Sequence, residues 1–152
     1  MICLIQRVIR SEVIINENFF SKINKGILIL LGIHKNDTNE DLDYIVKKTS
    51  NLRIFEDKKK NMNLSIQDIN GEILIVSQFT LCAETKKGRR PSFINAAKPK
   101  EAKKLYDKAI EKFRKLNLKV ETGQFGENMN VNLVNQGPVT IIINSKDNKN
   151  EN

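Results

Sequence analysis

Two runs of unbroken apolar residues, Ile27-Leu28-Ile29-Leu30-Leu31 and Ile73-Leu74-Ile75-Val76, stand out along the chain. Short runs rich in β-branched residues read as strands covered on both faces. The second continues into Ser77-Gln78-Phe79-Thr80-Leu81, so the pattern predicts a strand over 73–81 whose end turns polar. Unpaired polar groups at a buried strand end cost about 1–3 kcal/mol each. Ser77, Gln78 and Thr80 therefore either bond to neighbouring backbone or line a pocket.

Shorter strands are predicted at 2–9 and 12–16, broken by the polar Arg10-Ser11-Glu12, with a loop or weak strand over 16–25. Further strands are expected at 52–55, at 120–122, at 129–133 where Met129, Val131 and Leu133 alternate with Asn130 and Asn132, and at 139–143. Asn70-Gly71 marks a turn, with 64–69 as the expected hairpin partner of the 73–81 strand. Asn135-Gln136-Gly137-Pro138 reads as a tight turn. Leu42, Ile45 and Val46 give a helical stripe after an Asp37 or Thr38 cap, ending near Thr49. A second helix begins with Pro99 in its first turn and runs to about Leu116, with Leu105, Ala109, Phe113 and Leu116 on its apolar face. Its Lys-rich faces read as solvated. The expected fold is α+β: a curved, mainly antiparallel sheet or partly open barrel with two main helices. Residues 1–144 form one domain in this reading, and 145–152 a polar, frayed tail.

Composition changes the picture in one respect. The 152 residues carry 26 Lys and Arg against 18 Asp and Glu, a net charge of +8. That excess suits a polyanionic partner such as nucleic acid, or simply a basic soluble surface. Lys86, Lys87, Arg89 and Arg90 cluster around Gly88 in a stretch without periodicity and are candidate phosphate contacts. No apolar run approaches the roughly 20 residues of a membrane helix. Cys3 and Cys82 form no metal-spaced pair, so a reducing cytoplasmic setting without a metal or other cofactor is expected. Cys3 reads as core. Cys82 and the single histidine, His34, lie far apart with no motif to make them a nucleophile–base pair.

Two sites carry the remaining chemistry. Arg7 interrupts an apolar strand, where a charge either reaches water or anchors something specific. Gly137-Pro138 is most simply an ordinary trans turn, since only about 5–6% of X-Pro bonds are cis. A cis bond there would reverse the chain and allow successive carbonyls to point one way, as a cradle for an ammonium group.

Ser77-Gln78-Phe79-Thr80-Leu81 and Asn135-Gln136-Gly137-Pro138-Val139-Thr140 together resemble the two signature motifs of the D-aminoacyl-tRNA deacylases. The resemblance spans nearly the whole chain: Gln6-Arg7-Val8, Gly32, Asp37-Thr38, Gly88, Arg90-Pro91-Ser92-Phe93, Ala96-Ala97, Pro99, Leu105-Tyr106, Gly123-Gln124-Phe125-Gly126, Met129 and Val131 all fall in order. Gln136 departs from the pattern, standing where Asp is common. The resemblance implies a homodimeric ester hydrolase that proofreads translation by removing D-amino acids, and by steric logic glycine, from tRNA. It implies that Gly137 and Pro138, joined by a cis bond, enter the partner's site, offer carbonyls to the α-ammonium and collide with an L side chain. Arg7 would brace that loop. Ser77, Gln78, Phe79 and Thr80 would border the ester, with N–H groups near Phe79 and Thr80 for the oxyanion and Thr80 positioning substrate rather than attacking it. The tRNA 2′-hydroxyl would assist the water. A non-catalytic basic RNA-binding module is the alternative from another class, although RNP-like aromatics and a glycine-clamped loop are not evident. A peptidase or small-molecule esterase would need a nucleophile–base pair, and none is found.

Overall fold

One strand, β1 (Ile2–Ile15), touches most of the sheet. In the computed structural model, which describes residues 1–149, its first half pairs antiparallel with β3 (Gly26–Gly32). Its second half pairs with β2 (Asn18–Ile23) on the same edge, and β8 (Asn130–Asn144) takes the other edge. Beyond β3 the pairing becomes parallel, to β6 (Glu72–Ser77) and then β7 (Val120–Thr122). A separate two-stranded ribbon joins β4 (Phe55–Glu56) to β5 (Met62–Leu64). The sheet is thus mixed and curved, nearly closing into a barrel, and it bears out the expected α+β class.

The continuous apolar runs are explained by burial on two sides. Ile27, Ile29, Leu31, Ile73 and Ile75 pack under α1 (Asn39–Asn51) and α2 (Pro99–Arg114). Leu28, Leu74 and Val76 face a second cluster with Val8, Val13 and Ile23, flanked by Met129, Val131 and Leu133. Each run thus lies between two apolar layers, as a buried parallel pair must. Close approach of these strands also fixes Gly26, where a Cβ would stand 1.8 Å from the Glu72 carbonyl oxygen.

Several sequence expectations need correction. The segments 2–9 and 12–16 are one strand, because the polar break is absorbed by the ladder. Ser11 is buried with its hydroxyl donating to the Asn132 carbonyl at 2.9 Å, and Asn132 donates to the Glu12 carboxylate at 3.1 Å. Of the two readings open for 16–25, loop or weak strand, the strand is the one found, as β2. The 64–69 stretch does not pair with β6, whose two edges are taken by β3 and β7. Instead Asp68 accepts the Ser65 N–H and hydroxyl at 2.8 and 2.7 Å and closes a turn. The 52–55 strand shrinks to Phe55–Glu56. β6 itself ends at Ser77, and Phe79–Cys82 is a 3-10 turn rather than strand. Thr38 caps α1, its N–H donating to Asp41 at 2.9 Å. Asp37 instead holds the Met1 α-amino group at 2.6 Å, and Ser145 shares that group at 2.7 Å. Ser145–Lys149, expected to fray, is a short 3-10 turn; the rest of that tail lies outside the described residues.

α2 is fastened to the end of the sheet by Tyr106, whose buried hydroxyl donates to the Ile75 carbonyl at 2.8 Å, with the Gly123 carbonyl at 3.4 Å. Burial pushes this phenol well above its ordinary range, so it remains a donor. Tyr106→Phe removes that donor while keeping the ring. It is expected to lower stability by about 1 kcal/mol, read as a shift of the urea midpoint at unchanged slope. An unshifted midpoint would mean the hydroxyl contributes nothing to docking the helix.

Candidate active site

The β1–β8 ladder breaks where the sequence predicts a tight turn. Gln6 faces Thr140 and Val8 faces Asn135, so the single residue Arg7 lies opposite Gln136, Gly137, Pro138 and Val139. The excess of three residues bulges out of β8 as a loop within one strand, not as a turn between two. The Gly137–Pro138 peptide bond is cis. Gly137 has φ +129°, which L side chains rarely adopt, and a Cβ there would sit 2.8 Å from Val139 Cγ2 and 2.9 Å from an Arg7 guanidinium nitrogen.

Side chains replace the missing ladder bonds. Alternation along β1 sends Arg7 inward in phase with Cys3 and Ile5, and it is 5% exposed. Its Nε donates to the Gln136 carbonyl at 3.0 Å and its Nη1 to the Ile54 carbonyl at 2.5 Å. A guanidinium so far from water is tolerated because its donors meet carbonyls. Only the backbone of Gln136 is used, which explains why Gln in place of Asp leaves the brace intact. At the other foot of the loop, the Asn135 side chain accepts the Val139 N–H at 2.8 Å and donates to the Thr140 hydroxyl at 2.9 Å. Gln6 reaches the same hydroxyl at 3.3 Å. The sequence offered no signal for this Asn135 clasp beyond the motif it belongs to.

The second half of the site lies at the end of β6. Gln78 leaves the extended region, with ψ 78°, after its N–H makes a last bond to the Leu31 carbonyl at 2.9 Å. The 3-10 turn that follows begins with the N–H groups of Phe79 and Thr80, and neither has an acceptor among the described residues. Ser77, Gln78 and Phe79 line a cavity of about 510 Å³ closed by Ala96, Ala102 and Phe125. Thr80 does not line it; its hydroxyl, at the exposed rim, accepts from Gln78 Nε2 at 2.5 Å. Glu127 and Asn128, which the sequence reading passed over, also lie on the wall, and Glu127 is the only ionisable lining residue. Phe79 is 55% exposed and packs edge-on against Phe93, ring centroids 5.0 Å apart.

Within one chain, then, Ser77, Gln78, Phe79 and Thr80 come together, and Arg7, Gly137 and Pro138 come together. The two groups do not share a cavity, since neither Gly137 nor Pro138 lines the one beside Phe79. Lys86, Lys87, Arg89 and Arg90 are exposed at the tip of a hairpin whose arms join by paired bonds between Glu84 and Ser92 at 2.8 and 2.9 Å. Cys82 and His34 share no hydrogen bond. Burial raises the thiol and lowers the imidazole, so both sit neutral, the opposite of an activated pair. Cys3 is fully buried and pushed up to about 12 by desolvation. Among the described residues no three His, Cys, Asp or Glu side chains are grouped to hold a metal ion, and no helix is long and apolar enough to cross a membrane.

Replacing Arg7 by Met keeps the apolar stem and leaves the Gln136 and Ile54 carbonyls without their donor. Arg7→Met is expected to cost about 3 kcal/mol, and Asn135→Ala about 1 kcal/mol, by urea unfolding. Parent-like stability in the Arg7 variant would show that the loop is held by other means.

Comparison with known proteins places this geometry. The family model described as D-Tyr-tRNA(Tyr) deacylase matches residues 4–144. A D-aminoacyl-tRNA deacylase of Thermosipho melanesiensis is 54% identical over 147 residues, covering 96% of this chain and 98% of the relative. One from Finegoldia magna is 55% identical over 143 residues, covering 94% and 97%. Among solved structures, a c-Myc DNA unwinding element binding protein superposes with a TM-score of 0.89 at 40% identity, covering 94% of this chain and 97% of that one. A probable eukaryotic D-amino acid tRNA deacylase, at 19% identity and a TM-score of 0.81, shares the fold over 93% and 97% of the two chains. The chain belongs to the D-Tyr-tRNA(Tyr) deacylase family.

Proposed function

We propose that this protein hydrolyses the ester linking a D-amino acid to the 3′ end of tRNA, working as a homodimer in the cytoplasm where translation runs. The observation that carries the reading is the separation of two half-sites. A cavity lies beside two unpartnered amides, and the exposed Gly137 and Pro138 of a braced loop are not among the residues that line it. A second copy completes both. β8 supports this assignment: no described strand pairs with its outer edge, and Ile142 and Val134 are 65% and 37% exposed.

The chemistry asked of such a site is modest, because an aminoacyl ester is already activated. Attack by water places negative charge on the ester oxygen, and the free N–H groups of Phe79 and Thr80 are preorganised donors for it. No thiol, imidazole or amine lines the cavity, and Glu127 is the one carboxylate on its wall; proton transfer in this reading is assigned to the attacking water and the substrate's own 2′-hydroxyl. Gln78 and Thr80, tied to one another at the rim, position the ester. The partner's loop supplies the Gly137 and Pro138 carbonyls for the α-ammonium and leaves no room for an L side chain. A filter of this kind cannot exclude hydrogen, so glycyl-tRNA is a second substrate. The basic hairpin carrying Lys86, Lys87, Arg89 and Arg90 contacts tRNA phosphates.

Incubation with D-tyrosyl-, L-tyrosyl- and glycyl-tRNA should clear the first and third and spare the second. Release of both tyrosyl forms would remove the chiral filter, and release of none would remove the esterase. Thr80→Val preserves shape without the hydroxyl and is expected to slow D-tyrosyl release by no more than about tenfold, whereas a loss of roughly three orders of magnitude or more would make Thr80 the nucleophile.

A further inference from the structure

The lysines of α2 fall into two sets that the sequence does not separate. Toward its C-terminal half, Lys108 donates to Asn39 Oδ1 at 3.0 Å and Lys112 pairs with Asp43 at 2.6 Å, both fastening α2 to α1. In its first two turns, Lys100 and Lys104 have no ion pair among the described residues. Lys103 pairs with Asp107 at 2.6 Å, but both side chains are about half exposed, so a phosphate can displace the carboxylate. These three lysines line a shallow groove of about 400 Å³, together with Asp107, and its remaining walls are Pro99 and Phe125. Pro99 and Phe125 are also walls of the cavity beside Ser77 and Phe79. Through these shared walls the groove directly continues the candidate active site onto a surface that carries three lysines.

We infer that Lys100, Lys103 and Lys104 hold backbone phosphates at the 3′ end of the tRNA as it leaves the pocket. This assignment rests on the reading of the pocket given above. An ester held at the end of β6 forces the adjoining nucleotides out through a wall, and the Pro99–Phe125 wall opens on the only one of these two grooves that carries lysines. Lys100 and Lys104 lie one turn apart on a single face, about 6 Å along the axis, a span comparable to one backbone step of a single strand. The acids nearby, Glu101 in the first turn, Asp107 in the groove and Glu127 on the pocket wall, leave the basic residues in balance with them, so the attraction is local and needs phosphates seated at the lysines themselves. A lysine-rich helix face that looks merely solvated thus becomes a track for the substrate.

The test compares Lys100→Ala/Lys103→Ala/Lys104→Ala with the parent on D-tyrosyl-tRNA and on 3′-O-D-tyrosyl-adenosine, which has no phosphate to contact. Lys47→Ala/Lys48→Ala/Lys115→Ala, none of whose lysines line either groove, removes the same charge as a control. The expected result is a KM for D-tyrosyl-tRNA raised roughly tenfold with kcat retained, and a salt slope of KM shallower by about 2–3 between roughly 50 and 200 mM salt. The adenosine ester should be cleaved as by the parent, and the control should match the parent on both. Parent-like KM and slope on tRNA would overturn the assignment, as would an equal loss on both substrates or an equal loss in the control. If the parent cleaves neither ester, the pocket reading fails separately. Binding of uncharged tRNA across the same salt range then decides the lysines, a slope unchanged by the triple substitution counting against them.

Discussion

A single buried guanidinium governs how this sheet presents its most unusual feature. Arg7 sits where strand alternation calls for an apolar side chain, and it joins three segments distant in sequence: β1, the bulge of β8 and the stretch leading into β4. A charge in such surroundings is costly unless its donors find acceptors, and here they meet two main-chain carbonyls, that of Gln136 in the bulge and that of Ile54 ahead of β4. Bulge and arginine therefore support one another. Without the bulge the guanidinium keeps only the Ile54 carbonyl, and without the guanidinium four residues of β8 lose one of their two anchors. Asn135 supplies the other, through its bonds to Val139 and Thr140.

The remainder of the fold keeps the second half-site rigid. β3 and β6, buried on both faces, deliver Ser77 to a fixed point, and Tyr106 ties α2 and the Gly123 loop to that same strand end. The direction of the chain then changes at Gln78, so that two amides are left free where the ladder stops. Rigidity matters more than acid–base power for an activated ester, because donors already aimed at the oxyanion need no reorganisation during reaction. In the proposed dimer one rigid half supplies the oxyanion donors and the other senses the stereocentre. Selection and chemistry are thereby assigned to different chains.

Much of this was legible from residue patterns, and the failures share a cause. Continuous apolar runs identified β3 and β6 because burial on both faces leaves no other composition open to them. Helix caps and stripes located α1 and α2 to within a few residues. The reading broke down where long-range pairing overrode local signals. Arg10-Ser11-Glu12 looks like a break until Asn132 is seen to satisfy it. Asn135-Gln136-Gly137-Pro138 looks like a turn until one notices that β1 runs unbroken opposite it. The 64–69 segment resembles a hairpin arm only because nothing local reveals that β7, some fifty residues later, occupies that edge. At the site, motif resemblance pointed to Arg7, Gly137 and the Ser77–Thr80 segment, whereas the Asn135 clasp and the continuity between the pocket and the lysines of α2 are visible only in three dimensions.

The central claim, that each active site draws its pocket and its stereochemical sensor from different chains, is tested most directly by complementation. One variant, Gly137→Val, has a damaged loop and an intact pocket; the other, Ala96→Phe, has a filled pocket and an intact loop. Each alone should be inactive on D-tyrosyl-tRNA. Refolded together at equal amounts, random pairing gives one complete site in half of the dimers, so roughly a quarter of parent activity should return. No recovery, in a mixture shown to contain the mixed dimer, would contradict a site shared between chains.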